Sequence, residues 1–463
     1  MRAAHTVEQV RAAEAARMAQ LPDGALMQQA AAGLAYAVLD YLGGGYGRRV
    51  VLLVGPGDNG GDALYAGAML ARRGVQVEAW LIADQVHEEG LAALTRAGGR
   101  VGQPGPTRAD LALDGIVGIG GRPGLREDAS RAVEALDDTP VIAVDVPSGV
   151  GVDDGTAGEP HVQAALTVTF GTLKIAHLVA PAALACGPIH LVPLGLDLPG
   201  PAITSLQPAD VGALIPQPAV DAQKYSRGVV GVRAGSTTYP GAALLCVSGA
   251  ASGLAGMVRY DGPVADVVRQ QHPEVVGPGR VQAWVVGSGG GETAARALRL
   301  SRADGVPVVV DADALVHAEP ADPDLQVLTP HAGELAAMTG AGRVEIEADP
   351  LSHVRAAADR YGSVVLLKGP HTLVAHPDGR VHATVNSTPW LATAGAGDVL
   401  AGLIGSLAAG GLELFDAASA GSWLHSSAAR LALTDGPLTA GKVAATLPRA
   451  ISLALRAMEQ STT

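Results

Sequence analysis

Apolar and polar positions along this chain fall into two runs of alternating strand-like and helix-like segments. In the first half, Arg49–Gly55 (RVVLLVG) reads as a buried strand and Asp62–Arg73 as a helix. Val75–Ile82 (VQVEAWLI) then reads as a strand and Glu88–Ala97 as a helix. Further strands are predicted at Asp114–Val117, Pro140–Val146, Leu166–Phe170 and Ile189–Val192. Strands alternating with helical patterns give βαβ units and a parallel sheet. Helical sequence from Thr6 to about Leu42 precedes the first strand. The stretch Leu194–Val220 breaks the rhythm with five prolines, at 199, 201, 208, 216 and 218, after Pro193, and predicts a domain boundary near residue 207. The alternation restarts beyond it. Strands are predicted at Val229–Ala234, Ala283–Gly287, Val306–Asp311, Gln326–Thr329 and Ser363–Gly369, and helices at Ala242–Met257, Thr293–Arg302, Gly333–Thr339, Pro350–Tyr361 and Asp398–Ala409. The expected class is α/β, with one domain over 1–207 and a different one over 208–463.

Composition narrows the partners. Apolar residues make up 48% of the 463 and aromatics only 3%, so the cores must be built from Ala, Val and Leu. A net charge of −13 without a lysine-rich run argues against nucleic acid, which needs a basic face. Cys186 and Cys246 are isolated, which excludes a disulfide framework or a thiolate zinc site. The uncharged stretch Gly241–Val258 carries a GxxxG at Gly249 and Gly253, but it is short and rich in Gly, Ala and Ser, so a buried helix is expected rather than a membrane span. The amphipathic N-terminus does not resemble a signal peptide, and a cytoplasmic location is expected. A homo-oligomer is also expected.

Two glycine-rich loops carry the candidate chemistry, because glycine lets backbone N–H groups approach an anion. The first is Gly55-Pro56-Gly57-Asp58-Asn59-Gly60-Gly61-Asp62. Its Gly55-x-Gly57-x-x-Gly60 spacing, with Glu78 near the end of the next strand, also suits a dinucleotide-dependent dehydrogenase. Pro56 and the about fifty residues ahead of the strand fit that reading poorly. A tight turn without a ligand is the plain alternative. Asp114 and Asp145-Val146-Pro147-Ser148-Gly149 also fall at strand C-terminal ends, where parallel sheets bind ligands. Oxygens from Asn59, Asp114 and Ser148 suit a hard cation. Asp145 could act as an acid/base group or simply cap a turn.

Together, Gly57–Asp62, Asp145–Gly149 and Phe170–Lys174 resemble the NAD(P)H-hydrate epimerase family over roughly residues 5 to 205. The resemblance implies a Rossmann-like fold, interconversion of R and S hydrates, and bound potassium. It implies that Asn59, Asp114 and Ser148 ligate potassium. Asp58, Asn59, Gly60, Gly61 and Asp62, the loop Gly118-Ile119-Gly120-Gly121-Arg122-Pro123-Gly124, and Asp145 would line the hydrate site, with Asp145 catalytic and Lys174 a lesser candidate. Asp58 stands where the family more often has Asn.

The second loop, Thr393-Ala394-Gly395-Ala396-Gly397-Asp398, enters an apolar helical run. Its amides would face an anion at a helix N-terminus, and Asp398 would take a proton from an attacking hydroxyl. A helix N-cap is the structural alternative for Asp398. Asn386 and Thr393 flank the approach. Four further motifs fall at strand ends or helix starts: Gly235–Ala242, Gly287–Gly291, Thr329–Glu334 and Lys368–Thr372. Asp311-Ala312-Asp313 also follows a strand. These resemble the ribokinase-like superfamily and, within it, the ADP-dependent NAD(P)H-hydrate dehydratases. The resemblance implies that Ala242, Gly289, His331 and Asp398 contact the hydrate. It implies that Lys368, Gly369, Pro370, His371, Thr372 and Gly397 contact the adenine nucleotide. NADH hydrate, NADPH hydrate and ADP would be the small-molecule substrates, with magnesium neutralising the phosphates. A vitamin-type kinase fused to a non-catalytic nucleotide-binding module is the alternative.

Overall fold

The computed structural model describes residues 1–385 and 387–462. The chain divides into two compact units, Ala3–Ile203 and Thr204–Thr463 with Met1–Arg2.

The first unit is built on a seven-stranded parallel sheet. From edge to edge its strands are Arg100–Gly102, Gln76–Leu81, Arg49–Val54, Leu111–Gly115, Val141–Val144, Leu166–Phe170 and Ile189–Val192. Helices Ala25–Leu42 and Asp58–Ala71 bury Leu34, Val38, Leu64 and Leu70 with Leu52 and Val54 on one face. Val51, Leu53, Trp80 and Leu136 fill a second cluster. Ala4 and His5 pair in parallel with Leu173 and Lys174, which fixes the segment following Phe170.

The strand expected at Asp114–Val117 lies earlier, at Leu111–Gly115, and brings Asp114 inside the sheet. The helix expected from Asp62 begins at Asp58, so Asn59 to Asp62 occupy its first turns rather than a loop. Gly60 permits this, because a Cβ there would stand 2.3 Å from the Gly55 carbonyl oxygen.

In the second unit six parallel strands run in the order Met257–Tyr260, Val229–Arg233, Ala283–Val286, Val308–Val310, Gln326–Leu328 and Val364–Leu367. Thr372–Ala375 and Val381–Thr384 extend them as antiparallel strands. The helix expected over Ala242–Met257 covers only Pro240–Ala250. The chain turns at Gly253, which has φ +93°, and Met257 begins an edge strand. Small residues replace aromatics in this core. A Cβ at Gly249 would lie 2.1 Å from the Val399 carbonyl oxygen, and one at Gly402 would lie 2.0 Å from that of Cys246. Helices Pro240–Ala250 and Ala396–Ala409 therefore meet backbone to backbone. Among the described residues, no helix is long and apolar enough to cross a membrane.

Candidate functional site

In the first unit the candidate side chains collect at the C-terminal ends of the parallel strands, because each strand gives way there to a turn. Asp114 is fully buried and accepts from the Ser148 backbone N–H at 2.7 Å, the Ser148 hydroxyl at 2.7 Å and the Ile116 N–H at 3.2 Å. Burial still pushes its carboxyl up to about 6, against the pull of the Ser148 and Ile116 bonds. Asn59 lies over Gly118, where a Cβ would stand 2.8 Å from its Oδ1. The Asn59 amide nitrogen is buried without a partner among the described residues. The structure thus brings Asp114 and Ser148 into direct contact and seats Asn59 on the loop that follows Asp114.

Asp145 terminates its strand with φ +69°, a left-handed conformation that only a close network would impose on a non-glycine residue. Its Oδ1 accepts from the Lys174 ammonium, the Thr169 hydroxyl at 2.9 Å and the Phe170 N–H at 3.3 Å. Lys174 also donates to the Thr169 hydroxyl at 3.1 Å and the Phe170 carbonyl at 3.0 Å, so each of its three N–H groups has a partner. The Lys174 backbone N–H donates to His177 Nδ1, which places the ring proton on Nε2, donating to the Asp145 carbonyl at 2.9 Å. Burial, reinforced by Lys174, pushes His177 down to about 4 and keeps it neutral. Lys174 is therefore built into the centre of this site.

Asp62, 9% exposed, has an Oδ1 without a partner among the described residues. Burial, then Asp145, Asp58 and Glu14, push its carboxyl well up. Glu14, on the helix Val7–Met18, is also pushed up by burial, with Lys174 opposing and Asp145 and Asp58 adding to it. Glu14 was not legible in the sequence, because nothing in its surroundings marks it apart from an ordinary helix charge.

The 118–124 loop is pinned at both ends. Gly118 meets Asn59, and the Gly124 N–H donates to the Gly149 carbonyl at 2.9 Å. Between them Ile119 packs against a cluster of Val146, Val150 and Val152, while Gly120, Arg122 and Pro123 are exposed. Arg11 reaches to 3.7 Å of the Cβ position of Gly120. Glu78, the acid a dehydrogenase would need, instead accepts from the Trp80 indole at 2.7 Å in mid-strand.

In the second unit four successive sheet neighbours deliver Ser288, Asp311, Thr329 and Lys368 just past their C-terminal ends. Asp311, 2% exposed, accepts from the Ser288 hydroxyl at 3.0 Å, the Thr329 hydroxyl at 2.8 Å and Lys368 at 2.9 Å. Glu334 lies 3.5 Å from the same ammonium. Burial works against the charge of Lys368, yet Asp311 and Glu334 outweigh it and hold the lysine above its ordinary range.

Lys368 Nζ stands 3.3 Å from the Cβ position of Gly397. Gly395, at φ +84°, is the N-cap of helix Ala396–Ala409, so Asp398 sits in the first turn and is not the cap. Burial, then Asp311, push its carboxyl up to about 6 while a Ser288 hydrogen bond pulls the other way.

The remaining expected contacts separate. Ala242 meets Gly289, whose Cβ would lie 2.6 Å from that of Ala242. His331 caps helix Ala332–Thr339, its Nδ1 accepting from the Glu334 N–H at 3.1 Å, while its Nε2 lies 3.7 Å from the Glu334 carboxylate. His331 and Glu334 also line a cleft of about 410 Å³ with Asp313, Val316 and Gly291. Gly369 and Pro370 are exposed, but Thr372 is buried at the start of an antiparallel strand. Thr393 lines a second cleft with Trp390 and Leu438. Asn386 lies outside the described residues.

The comparisons with known proteins bear on both units. A family model described as NAD(P)H-hydrate dehydratase matches residues 230–449, and one described as YjeF-related protein N-terminus matches residues 23–176. A Mycobacterium leprae protein named bifunctional NAD(P)H-hydrate repair enzyme Nnr is 45% identical, over 94% of this chain and 96% of that protein. A Corynebacterium glutamicum protein of the same name is 36% identical, over 77% of each. Among solved structures, the Bacillus subtilis ADP/ATP-dependent NAD(P)H-hydrate dehydratase co-crystallised with ATP and Mg2+ is 27% identical. It covers 54% of this chain and 98% of its own, with a TM-score of 0.50. Identity of this extent, spanning both units, makes the chain a member of the bifunctional NAD(P)H-hydrate repair enzyme family.

Proposed function

We infer that this chain repairs hydrated NADH and NADPH, epimerising the R and S hydrates in residues 1–207 and dehydrating the S hydrate with ADP in residues 208–463. The observation that carries the dehydratase reading is the first turn of helix Ala396–Ala409. There Asp398 lies beside Ser288, and Lys368 approaches the Gly395–Gly397 turn. Backbone N–H groups at that turn and the Lys368 ammonium would hold the nucleotide phosphates. Asp398 would take the proton from the hydrate's hydroxyl as its oxygen attacks phosphorus. AMP departs, the C–O bond then breaks with loss of phosphate, and loss of a neighbouring ring proton restores the double bond. Among the described residues no group of three His, Cys, Asp or Glu side chains could hold a metal ion. This agrees with magnesium entering on the nucleotide phosphates, whose charge it neutralises, rather than in a protein cage.

In the first unit Asp145 is the acid/base group and Lys174 holds its carboxylate. Asp62, whose carboxyl is pushed well up, is suited to give a proton to the departing hydroxyl. The Asn59, Asp114 and Ser148 side chains fit a hard monovalent cation. The buried Asn59 amide has no partner at one end among the described residues, and with its oxygen turned to that end it would ligate potassium. Potassium there would supply positive charge next to the hydrate.

The test is turnover. Purified protein given S hydrate and ADP should return NADH absorbance with AMP and phosphate in equal amounts. Given R hydrate in excess potassium and no ADP, it should form S hydrate. A stable phosphorylated product would instead establish the kinase alternative, and absence of both reactions would refute the reading.

A further inference from the structure

We propose that Asp311 is the positioning residue of the dehydratase site: its buried carboxylate holds the Lys368 ammonium at the glycine turn and the Ser288 hydroxyl beside Asp398, so that one group sets both nucleotide binding and the readiness of the base. This rests on the dehydratase reading above.

The geometry is specific. Asp311 is 2% exposed, so it does not meet solvent as a ligand-binding acid would. Its two oxygens are used on different sides. Oδ1 accepts from Thr329 at 2.8 Å and Lys368 at 2.9 Å, and Oδ2 accepts from Ser288 at 3.0 Å. The lysine end reaches the Gly397 Cβ position at 3.3 Å, where nucleotide phosphate would lie. The serine end also reaches Asp398. Burying a carboxylate is costly unless it is paired and hydrogen-bonded, and here three partners from three neighbouring strands meet that condition. A purely structural ion pair would not need to touch both halves of a reaction site.

The charges around Asp398 are few. Asp311 and Asp313 raise its carboxyl, and Lys368 and the Ser288 bond lower it. From the helix Pro240–Ala250, Cys246 faces it as a thiol that burial pushes well up and so keeps neutral. From the helix Leu414–Ala432, His425 is pushed down to about 4 by burial and is neutral too. Removing the Asp311 charge acts on Asp398 mainly in one direction. Repulsion is lost and the Ser288 hydroxyl is freed to donate to Asp398, both of which lower its pKa, while a looser Lys368 opposes them in part.

D311N is the test. Calorimetry should show ADP with magnesium binding about tenfold or more weakly. The acid limb of kcat/KM for S hydrate should move to lower pH by about one unit. An ADP affinity within about twofold of wild type, or an acid limb that stays in place, overturns the proposal. S288A keeps the Lys368 pair and should leave ADP affinity unchanged. If D311N does not fold, T329V, which takes the second partner from the oxygen that holds Lys368, decides alone, and an unmoved ADP affinity refutes the role. ADP binding needs no turnover, so it tests Asp311 even if the wild type fails on the hydrate, a failure that would count against the dehydratase reading instead.

Discussion

Each unit buries a lysine beside an aspartate, Lys174 with Asp145 and Lys368 with Asp311, and the surroundings give the pairs opposite uses. Lys174 is 1% exposed, and its three donors are taken by Asp145, Thr169 and Phe170. It has nothing left to offer a ligand and serves to fix Asp145. Lys368 is 21% exposed and lies against two carboxylates at the mouth of a glycine turn. Its partners hold the charge in place without consuming every donor. The aspartates differ in the complementary sense. Asp145, at the end of its strand, has an Oδ2 with no hydrogen bond from the described residues, whereas both oxygens of Asp311 are occupied. Under the proposed function, the acid of the first pair would be the working group and the lysine the brace. In the second the lysine would work and the acid brace. Residue type does not separate a reactive group from its support, but unspent hydrogen-bonding capacity does.

The largest expected effect concerns the base that the second pair serves. D398N should lower ADP-dependent dehydration by about 10²–10⁴-fold while R-to-S conversion continues, with both followed on the same preparation. Full dehydration by this variant would detach Asp398 from the chemistry. Next is the stability of the first pair. K174M strands a buried carboxylate and should cost about 3–5 kcal/mol, read as a lower denaturant midpoint for the first unit. K368M also strands a buried carboxylate, and in addition it should weaken ADP binding, which K174M should leave unchanged. Equal ADP affinities in the two variants would erase the distinction between brace and working group.

The third effect is a pH dependence. With the Asp398 carboxyl at about 6, dehydration should rise as pH increases through about 6 and level off above it, since the base must lose its proton. Epimerisation, which does not use Asp398, should not follow that limb. The smallest effect is on stability in D62N. Burial keeps the Asp62 carboxyl protonated to well above its ordinary range, so the neutral amide should change stability by under about 1 kcal/mol. R-to-S turnover should nevertheless fall sharply. A large stability loss would show that Asp62 is charged and structural.

Much of this organisation was legible in the sequence. The apolar runs at Arg49–Val54, Val141–Val144 and Val364–Leu367 are continuous because both sheet faces are covered, and such runs announce parallel strands. The site motifs were legible because glycine, aspartate and serine gather where those strands end. What escaped depends on tertiary geometry. The helix start at Asp58 was hidden by Gly60 and Gly61, which read as a loop but are needed for close approach to Gly55 and His87. The strand Met257–Tyr260 was missed and its first residue taken into the preceding helix, because the break at Gly253 resembles helix-packing glycine. The saturation of Lys174 and the hub at Asp311 are properties of hydrogen-bond partners 4 to 57 positions away, which no local pattern displays.

The hub has a consequence for how the protein is made. Ser288, Asp311, Thr329 and Lys368 arrive on four neighbouring strands, and Asp398 follows on a later helix. A ribosome-bound chain lacking the last of these segments has no assembled pocket. Nucleotide capture should therefore begin only once the second unit is nearly complete, so an unfinished chain would not tie up or consume ADP, and ADP binding would mark the end of folding.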